Sequence, residues 1–264
     1  MKQSTLAAEQ FGATAHAYLN SSVHAGGADL QHLTAVSRSL GHPTALDLGC
    51  GAGHAAFAMA NGGAQVTAYD LSSEMLAVVD AEGQRRGIQG LQTQQGVAEH
   101  LPFADSIFDL VATRFSAHHW TDVSAALAEV RRVLRADGTL VVIDAIAPES
   151  PLLDTVVQTV EILRDASHVR DYRVSEWRAM LKAAHFAAPE VDTWVLPMEF
   201  ATWVARMRTS EVRVHAIRDV WARAAQEARR HFRVQPDGSF HLDVAWMQTR
   251  PWAKNYGSMY LTNP

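Results

Sequence analysis

From Thr44 onward the apolar positions repeat a pattern: a short β-type run, then a longer stretch of helical period. Thr44-Ala45-Leu46-Asp47-Leu48 reads as a buried strand ending in glycines, and 52–61 as a helix stopped by Gly62-Gly63. Gln65-Val66-Thr67-Ala68-Tyr69-Asp70 is the second strand. Ser72 then offers an N-cap, with Glu74 in the first turn of a helix that ends near Gly87. Residues 91–96 form a weak third strand and 108–113 a strong fourth. An amphipathic helix over 123–134 leads to the turn Asp137-Gly138, which opens the most apolar strand, 139–146. Strands alternating with helices of this length require right-handed crossovers, so the fold class is α/β with a parallel sheet covered on both faces.

The second half is patterned differently. Residues 152–164 and 175–185 read as helices, and 191–196 alternates like a strand. A single helical run is expected over 201–232, where Val214, Ile217, Trp221, Ala224, Ala228 and Phe232 recur at spacings of 3 and 4. Eight of the 20 arginines lie between Arg206 and Arg233, interleaved with Glu211, Asp219 and Glu227, as on a solvated helix face with intrahelical ion pairs. Pro236-Asp237-Gly238 marks a turn, and 239–248 is a last alternating strand.

Composition narrows the function classes. The 264 residues are 48% apolar and 19% charged, an ordinary globular balance that excludes disorder and a coiled-coil rod. A formal charge of −5 offers no basic field, so neither a nucleic acid nor an anionic membrane surface is the expected partner. The lone cysteine, Cys50, excludes an internal disulfide framework and reads as a small residue filling a tight turn. No stretch approaches the ~20 apolar residues of a membrane-spanning helix. The start, Met1-Lys2-Gln3-Ser4-Thr5, leads into no apolar signal region, so a cytoplasmic protein is expected.

The informative stretch is Asp47-Leu48-Gly49-Cys50-Gly51-Ala52-Gly53-His54, between the first strand and its helix. Glycines there let backbone approach a ligand closely, and the helix N-terminus beyond them favours negative charge. Asp70 ends the second strand 21 positions after Gly49, where a carboxylate can accept hydrogen bonds from ribose hydroxyls. Nicotinamide-binding folds use a similar turn, but their spacing is Gly-x-Gly-x-x-Gly, whereas this one is Gly-x-Gly-x-Gly. Asp47 would repel a pyrophosphate and attract an ammonium, and no cationic residue follows the loop to hold phosphates. A ligand with a ribose and a cationic head fits better.

Leu46-Asp47-Leu48-Gly49-Cys50-Gly51-Ala52-Gly53 resembles motif I of the class I S-adenosylmethionine-dependent methyltransferases, and within them the group containing the ubiquinone and menaquinone-biosynthesis enzymes. Tyr69-Asp70-Leu71-Ser72-Ser73-Glu74-Met75-Leu76, Ala98-Glu99-His100-Leu101-Pro102-Phe103, Ser106-Ile107-Phe108-Asp109-Leu110-Val111 and the segment 129–140 follow in family order. The resemblance implies a Rossmann-like, seven-stranded, mostly parallel sheet with an antiparallel last strand, plus helical cap elements. It implies S-adenosyl-L-methionine as cofactor. Gly49, Gly51 and Gly53 would face its methionine part, with Asp47 near the ammonium, Asp70 at the ribose and Leu71 on the adenine. Ala98 and Glu99 would lie at the adenine edge, and Arg114 joins the cofactor set. The sequence departs from the family at Val97, where an Asp is common, so adenine recognition would rest on the backbone of Ala98. Tyr18 matches an N-terminal aromatic that closes over the cofactor in relatives, or is a packed aromatic.

The acceptor belongs beyond the carboxyl ends of the strands. Arg114-Phe115-Ser116-Ala117-His118-His119-Trp120 is placed there by topology, so His118 and His119 are the best base or orienting candidates, or loop histidines with structural hydrogen bonds. Neighbouring side chains diverge, so metal ligation is not expected. In 164–172, His168 and Arg170 suit an acidic or enolisable acceptor; a self-satisfied loop pairing Arg164 with Asp165 and Arg170 with Asp171 is the alternative.

These readings predict one methyltransferase domain over 1–264: an N-terminal helical segment (1–43) closing over the cofactor, a cofactor-binding half (44–147), cap insertions (148–175 and 201–236) and the last strand (239–248). The expected activity is methyl transfer to oxygen or carbon of a small organic molecule. A protein that binds S-adenosylmethionine or S-adenosylhomocysteine without turnover is the alternative, and a nicotinamide oxidoreductase a weaker one.

Overall fold

In the computed structural model, which describes residues 2–12, 19 and 26–252, four consecutive buried residues, Ala45 to Leu48, put β1 (Thr44–Leu48) inside the sheet. It pairs in parallel with β2 (Gln65–Asp70) and β4 (Phe108–Arg114). Beyond them lie β3 (Leu91–Gln95) and β5 (Leu134–Ala145), giving the order β3-β2-β1-β4-β5-β7-β6. β7 (Phe240–Thr249) runs antiparallel to both β5 and β6 (Glu190–Met198), so it alone opposes the other six strands. β3 reads weakly as a sequence because it is an edge strand, exposed at most of its positions.

Helices α1 (Gln3–Gly12), α2 (Ala28–Ser39), α3 (His54–Asn61) and α4 (Ser73–Arg86) precede β3. Ser72 caps α4 by accepting the Met75 N–H at 3.3 Å, and Gly87 ends it at φ +66°. α5 (Val123–Val133) starts on Asp122, whose carboxylate accepts the Ala125 N–H at 2.9 Å. α7 (Val174–Ala183) joins α5 on the same face of the sheet, burying Trp177 and Leu181 with Leu127 and Val130. The other face takes α2 and α3.

A third core lies at the carboxyl end of the sheet. There α6 (Pro151–Arg164), α8 (Phe200–Arg206), α9 (Glu211–Arg223) and α10 (Gln226–His231) pack on Met198, Phe240 and Leu242. The expected single helix over 201–232 is corrected to three. Arg208 adopts φ +51° after α8, and Ala224 and Ala225 are extended between α9 and α10. Nothing local breaks the chain at two alanines; packing does. In a straight helix Trp221 and Phe232 would stand about 16 Å apart along the axis. The bend puts their rings 5.5 Å apart, with Trp221 also 5.1 Å from Phe240. The expected turn at Asp137-Gly138 is also corrected: β5 starts at Leu134, and the β4–β5 register shifts between Phe108 and Leu110. No helix among the described residues is long and apolar enough to cross a membrane.

Ile217 is fully buried in the helical core. Ile217→Ala is expected to cost about 3 kcal/mol, read as a lowered urea midpoint with unchanged slope.

Candidate active site

The chain leaves β1 through three left-handed glycines, Gly49 (φ +70°), Gly51 (φ +49°) and Gly53 (φ +85°). The turn is pinned to β2, because the N–H groups of Gly49 and Cys50 both donate to the Tyr69 carbonyl, at 2.8 and 3.0 Å. A Cβ on Gly49 would lie 1.9 Å from Ser116 Oγ, and one on Gly53 2.9 Å from Val79 Cγ2. A Cβ on Gly51 would meet no protein atom within 4 Å, and Gly51 borders a cavity at the carboxyl end of the sheet.

Asp47 is fully buried beneath this turn. Its Oδ2 accepts the Ala56 N–H from the first turn of α3 at 2.7 Å, while Oδ1 has no hydrogen-bond partner among the described residues. Burial pushes the carboxyl up to about 7; Asp70 adds to the shift, and the Ala56 N–H and Arg114 oppose it. Asp70 accepts the Gly51 N–H at 2.8 Å and the Ser72 N–H at 2.9 Å, which fixes its carboxylate at the rim of the same cavity. Its pKa is also raised by burial, against the pull of those N–H groups. The thiol of Cys50 is pushed up by burial and by Asp70 and Asp47, so it stays protonated.

Leu71, Ala98, Glu99 and Arg114 border the cavity, as do Met75, His54 and Trp120, which sequence reasoning did not single out. Two of the predicted residues have other commitments. Glu99 accepts the N–H groups of Thr121 and Asp122 at 2.9 and 3.1 Å, tying the β3–β4 connection to the start of α5. Arg114 donates to Asp29 of α2 at 2.6 Å in an ion pair that is almost wholly buried. Tyr18 lies outside the described residues; from the N-terminal segment Ser4, Ala7 and Phe11 of α1 line the cavity.

The cavity continues towards the helical layer. His118 and His119 border it from a single 3₁₀ turn (Ala117–His119), together with Glu161 and Arg164 of α6, Asp171, and Trp203 and Arg206 of α8. Leu196, Met198, Leu242 and Val244 form an apolar wall. His118 Nδ1 lies 2.5 Å from Oδ1 of Asp144, the second-last residue of β5. His119 Nδ1 lies 3.1 Å from the Ser167 carbonyl, and its ring meets the edge of Phe11 at 4.7 Å. Burial, then the neighbouring His118, push His119 down to about 4. His168 does not border the cavity. It stands behind, its Nε2 2.9 Å from Gln158 Oε1, and burial, then the charge of His118, lowers its pKa. Arg170 also faces away, bonded to Asp154 at 2.8 Å and Glu176 at 3.2 Å. The alternative pairing within 164–172 is therefore corrected: the carboxylate beside Arg164 is that of Glu161 at 3.7 Å, Arg170 pairs with Asp154, and Asp171 forms no ion pair with an arginine among the described residues. Asp144 and Glu161 were invisible as site residues because each sits in an apolar segment whose facing depends on the sheet and helix packing. No arrangement of His, Cys, Asp and Glu fit to hold a metal ion occurs among the described residues.

Residues 46–142, from β1 into β5, match the methyltransferase domain family. The chain is 47% identical over 192 residues to the YafE protein of Escherichia coli, covering 73% of this chain and 93% of YafE. The chain belongs to the class I S-adenosylmethionine-dependent methyltransferases. It is also 37% identical to the methyltransferase YcgJ of Bacillus subtilis over 84% of this chain and 88% of YcgJ. The crystal structure of YcgJ superposes with a TM-score of 0.78 over 84% of this chain and 98% of that one. A demethylmenaquinone methyltransferase of Chlorobaculum parvum is 36% identical over 112 residues, 42% of this chain and 44% of its own. S-Adenosylmethionine is accordingly the methyl donor, and the nicotinamide alternative falls.

The two glycines can be separated experimentally. Gly49→Ala is expected to lower the urea midpoint clearly, because its Cβ meets Ser116 as well as an unfavourable φ. Gly51→Ala meets only the φ penalty of about 1–2 kcal/mol and should destabilise less.

Proposed function

We propose that this methyltransferase transfers its methyl group to oxygen or carbon of a small organic molecule held between the glycine turn and the helical layer. The observation that carries the reading is one cavity running from Asp47, Gly51 and Asp70 to His118, His119 and the apolar wall around Trp203. Walls contributed by α1, α6 and α8 suit a compact acceptor, and the net charge of −5 offers nothing to a polyanion.

The residues present fit the donor. Asp47 has a buried oxygen still to be satisfied, suited to the ammonium. Gly51 leaves room beside it, and Asp70 is aimed by two backbone N–H groups with acceptor capacity left for ribose hydroxyls. Leu71 and Met75 give apolar cover for the base, beside Ala98. S-Adenosylmethionine supplies a methyl group already activated by its positive sulfur. The protein's work is alignment and exclusion of water, to which Phe11, Trp120 and Trp203 contribute apolar surface.

Two results test this. The ammonium pairs with ionised Asp47, whose carboxyl without ligand is pushed up to about 7. Below that pH a proton must leave before the pair forms, so S-adenosylhomocysteine affinity should fall by up to about tenfold per pH unit, by calorimetry. Asp47→Asn should bind more weakly at pH 8 and flatten the profile. For the acceptor, purified protein with isotopically labelled donor, added to a size-fractionated cell extract, should label the small-molecule fraction; label confined to macromolecules would overturn the reading.

A further inference from the structure

The helical end of the cavity is a cluster of groups that the fold places with care. Asp144 is 1% exposed, and its Oδ1 accepts both the Ala145 N–H at 2.9 Å and the His118 ring. The carbonyl of His118 accepts the N–H groups of Val169 at 2.8 Å and Arg170 at 3.2 Å, so the loop after α6 is clamped to the same residue. His118 is thus held by backbone and side chain together. Its Nδ1 is spoken for, and Nε2 is its remaining polar atom, with no hydrogen-bond partner among the described residues, on a residue that borders the cavity.

Resting on the small-molecule reading above, we propose that this end of the cavity binds the acceptor through an anionic oxygen, held by the Nε2–H of His118. Asp144 is the positioning residue that fixes the ring. Acceptors of this class are carboxylates, acidic enols and acidic phenols.

The charges facing His118 support a donor role. Asp144 faces it from β5, Glu161 and Arg164 from α6, Asp165, His168 and Asp171 from the following loop, and His119 from its own turn. Burial alone would push the imidazole down; the charge and hydrogen bond of Asp144, then Asp171 and Glu161, outweigh it and bring it up to about 9. At neutral pH the ring therefore carries both protons, and Nε2 donates. Burial raises Asp171 to about 8 and raises Glu161 as well. Each has one buried oxygen, Asp171 Oδ2 and Glu161 Oε1, without a partner among the described residues. Burial thus disfavours ionisation of both carboxyls, which lessens the repulsion an anionic acceptor meets there. An imidazolium cannot take a proton, so no base role falls to His118, and an acceptor that reaches it already ionised suits the site. A cationic acceptor would meet the imidazolium head on.

The test uses the full chain saturated with S-adenosylhomocysteine and three probes of similar shape: benzoate, benzyl alcohol and benzylamine. Imidazole NMR should show His118 titrating well above the ordinary value of about 6.5, the shift lost in Asp144→Asn and kept in Asp144→Glu. Benzoate should bind and move the His118 resonance, with about tenfold weaker affinity in His118→Gln and Asp144→Asn. A wild-type His118 titrating at or below about 6.5, preference for benzylamine or benzyl alcohol, or no binding of benzoate overturns the proposal. The labelled-extract experiment keeps the two readings apart: a small-molecule product whose demethylated parent carries no acidic O–H group overturns the anion site alone.

Discussion

A carboxylate buried at the end of β1 sets the terms for everything above it. Asp47 grips the first turn of α3 through the Ala56 N–H, so strand, glycine turn and helix are one rigid unit. That grip leaves a second oxygen without a partner among the described residues in a fully buried place, an arrangement that costs stability in the unliganded protein. The glycine turn, in turn, is bonded to β2 at Tyr69 and to Asp70. Through Asp70 and Ser72 the same frame reaches the start of α4. In the proposed reading, donor recognition is therefore built into the joints of the sheet.

The other end of the cavity is organised on a different principle. There the protein buries Asp144, Glu161, Asp165, Asp171 and His168 beside half-buried His118, His119 and Arg164, an expensive grouping unless charge is shared or given up. The divergent pKa directions within it divide the labour: His118 is held charged, while His119 and His168 are held neutral. The whole grouping is assembled from three distant stretches of chain, the β4 turn, the end of β5 and the α6 loop. Arg114 ties a fourth, α2, to the end of β4 by its buried pair with Asp29.

Much of this was legible in the order of residues. The alternation of apolar runs predicted the strands, β3 only weakly because that edge strand is mostly exposed, since the others are covered on a period of two or throughout and that signal is local. Asp47, the three glycines and Asp70 were legible because close backbone approach and a buried acid leave few alternatives at those positions. The three-helix break over 200–231 was not, since Ala224 and Ala225 favour helix and only Trp221, Phe232 and Phe240 converging on one spot overrules them. His168 read as a candidate by its neighbours in sequence, yet the loop turns it onto Gln158 and away from the cavity.

By itself, then, the sequence determined the sheet, the glycine turn and the donor, all of which rest on residues near one another in the chain. Tertiary structure alone decided the acceptor end. It chose which of two adjacent histidines meets Asp144, 26 residues away, and it turned Arg170 outward to Asp154 and Glu176. The physical reason is range. Backbone conformation and apolar period are local and can be read in order, whereas the protonation of a buried imidazole depends on carboxylates that only packing brings near it.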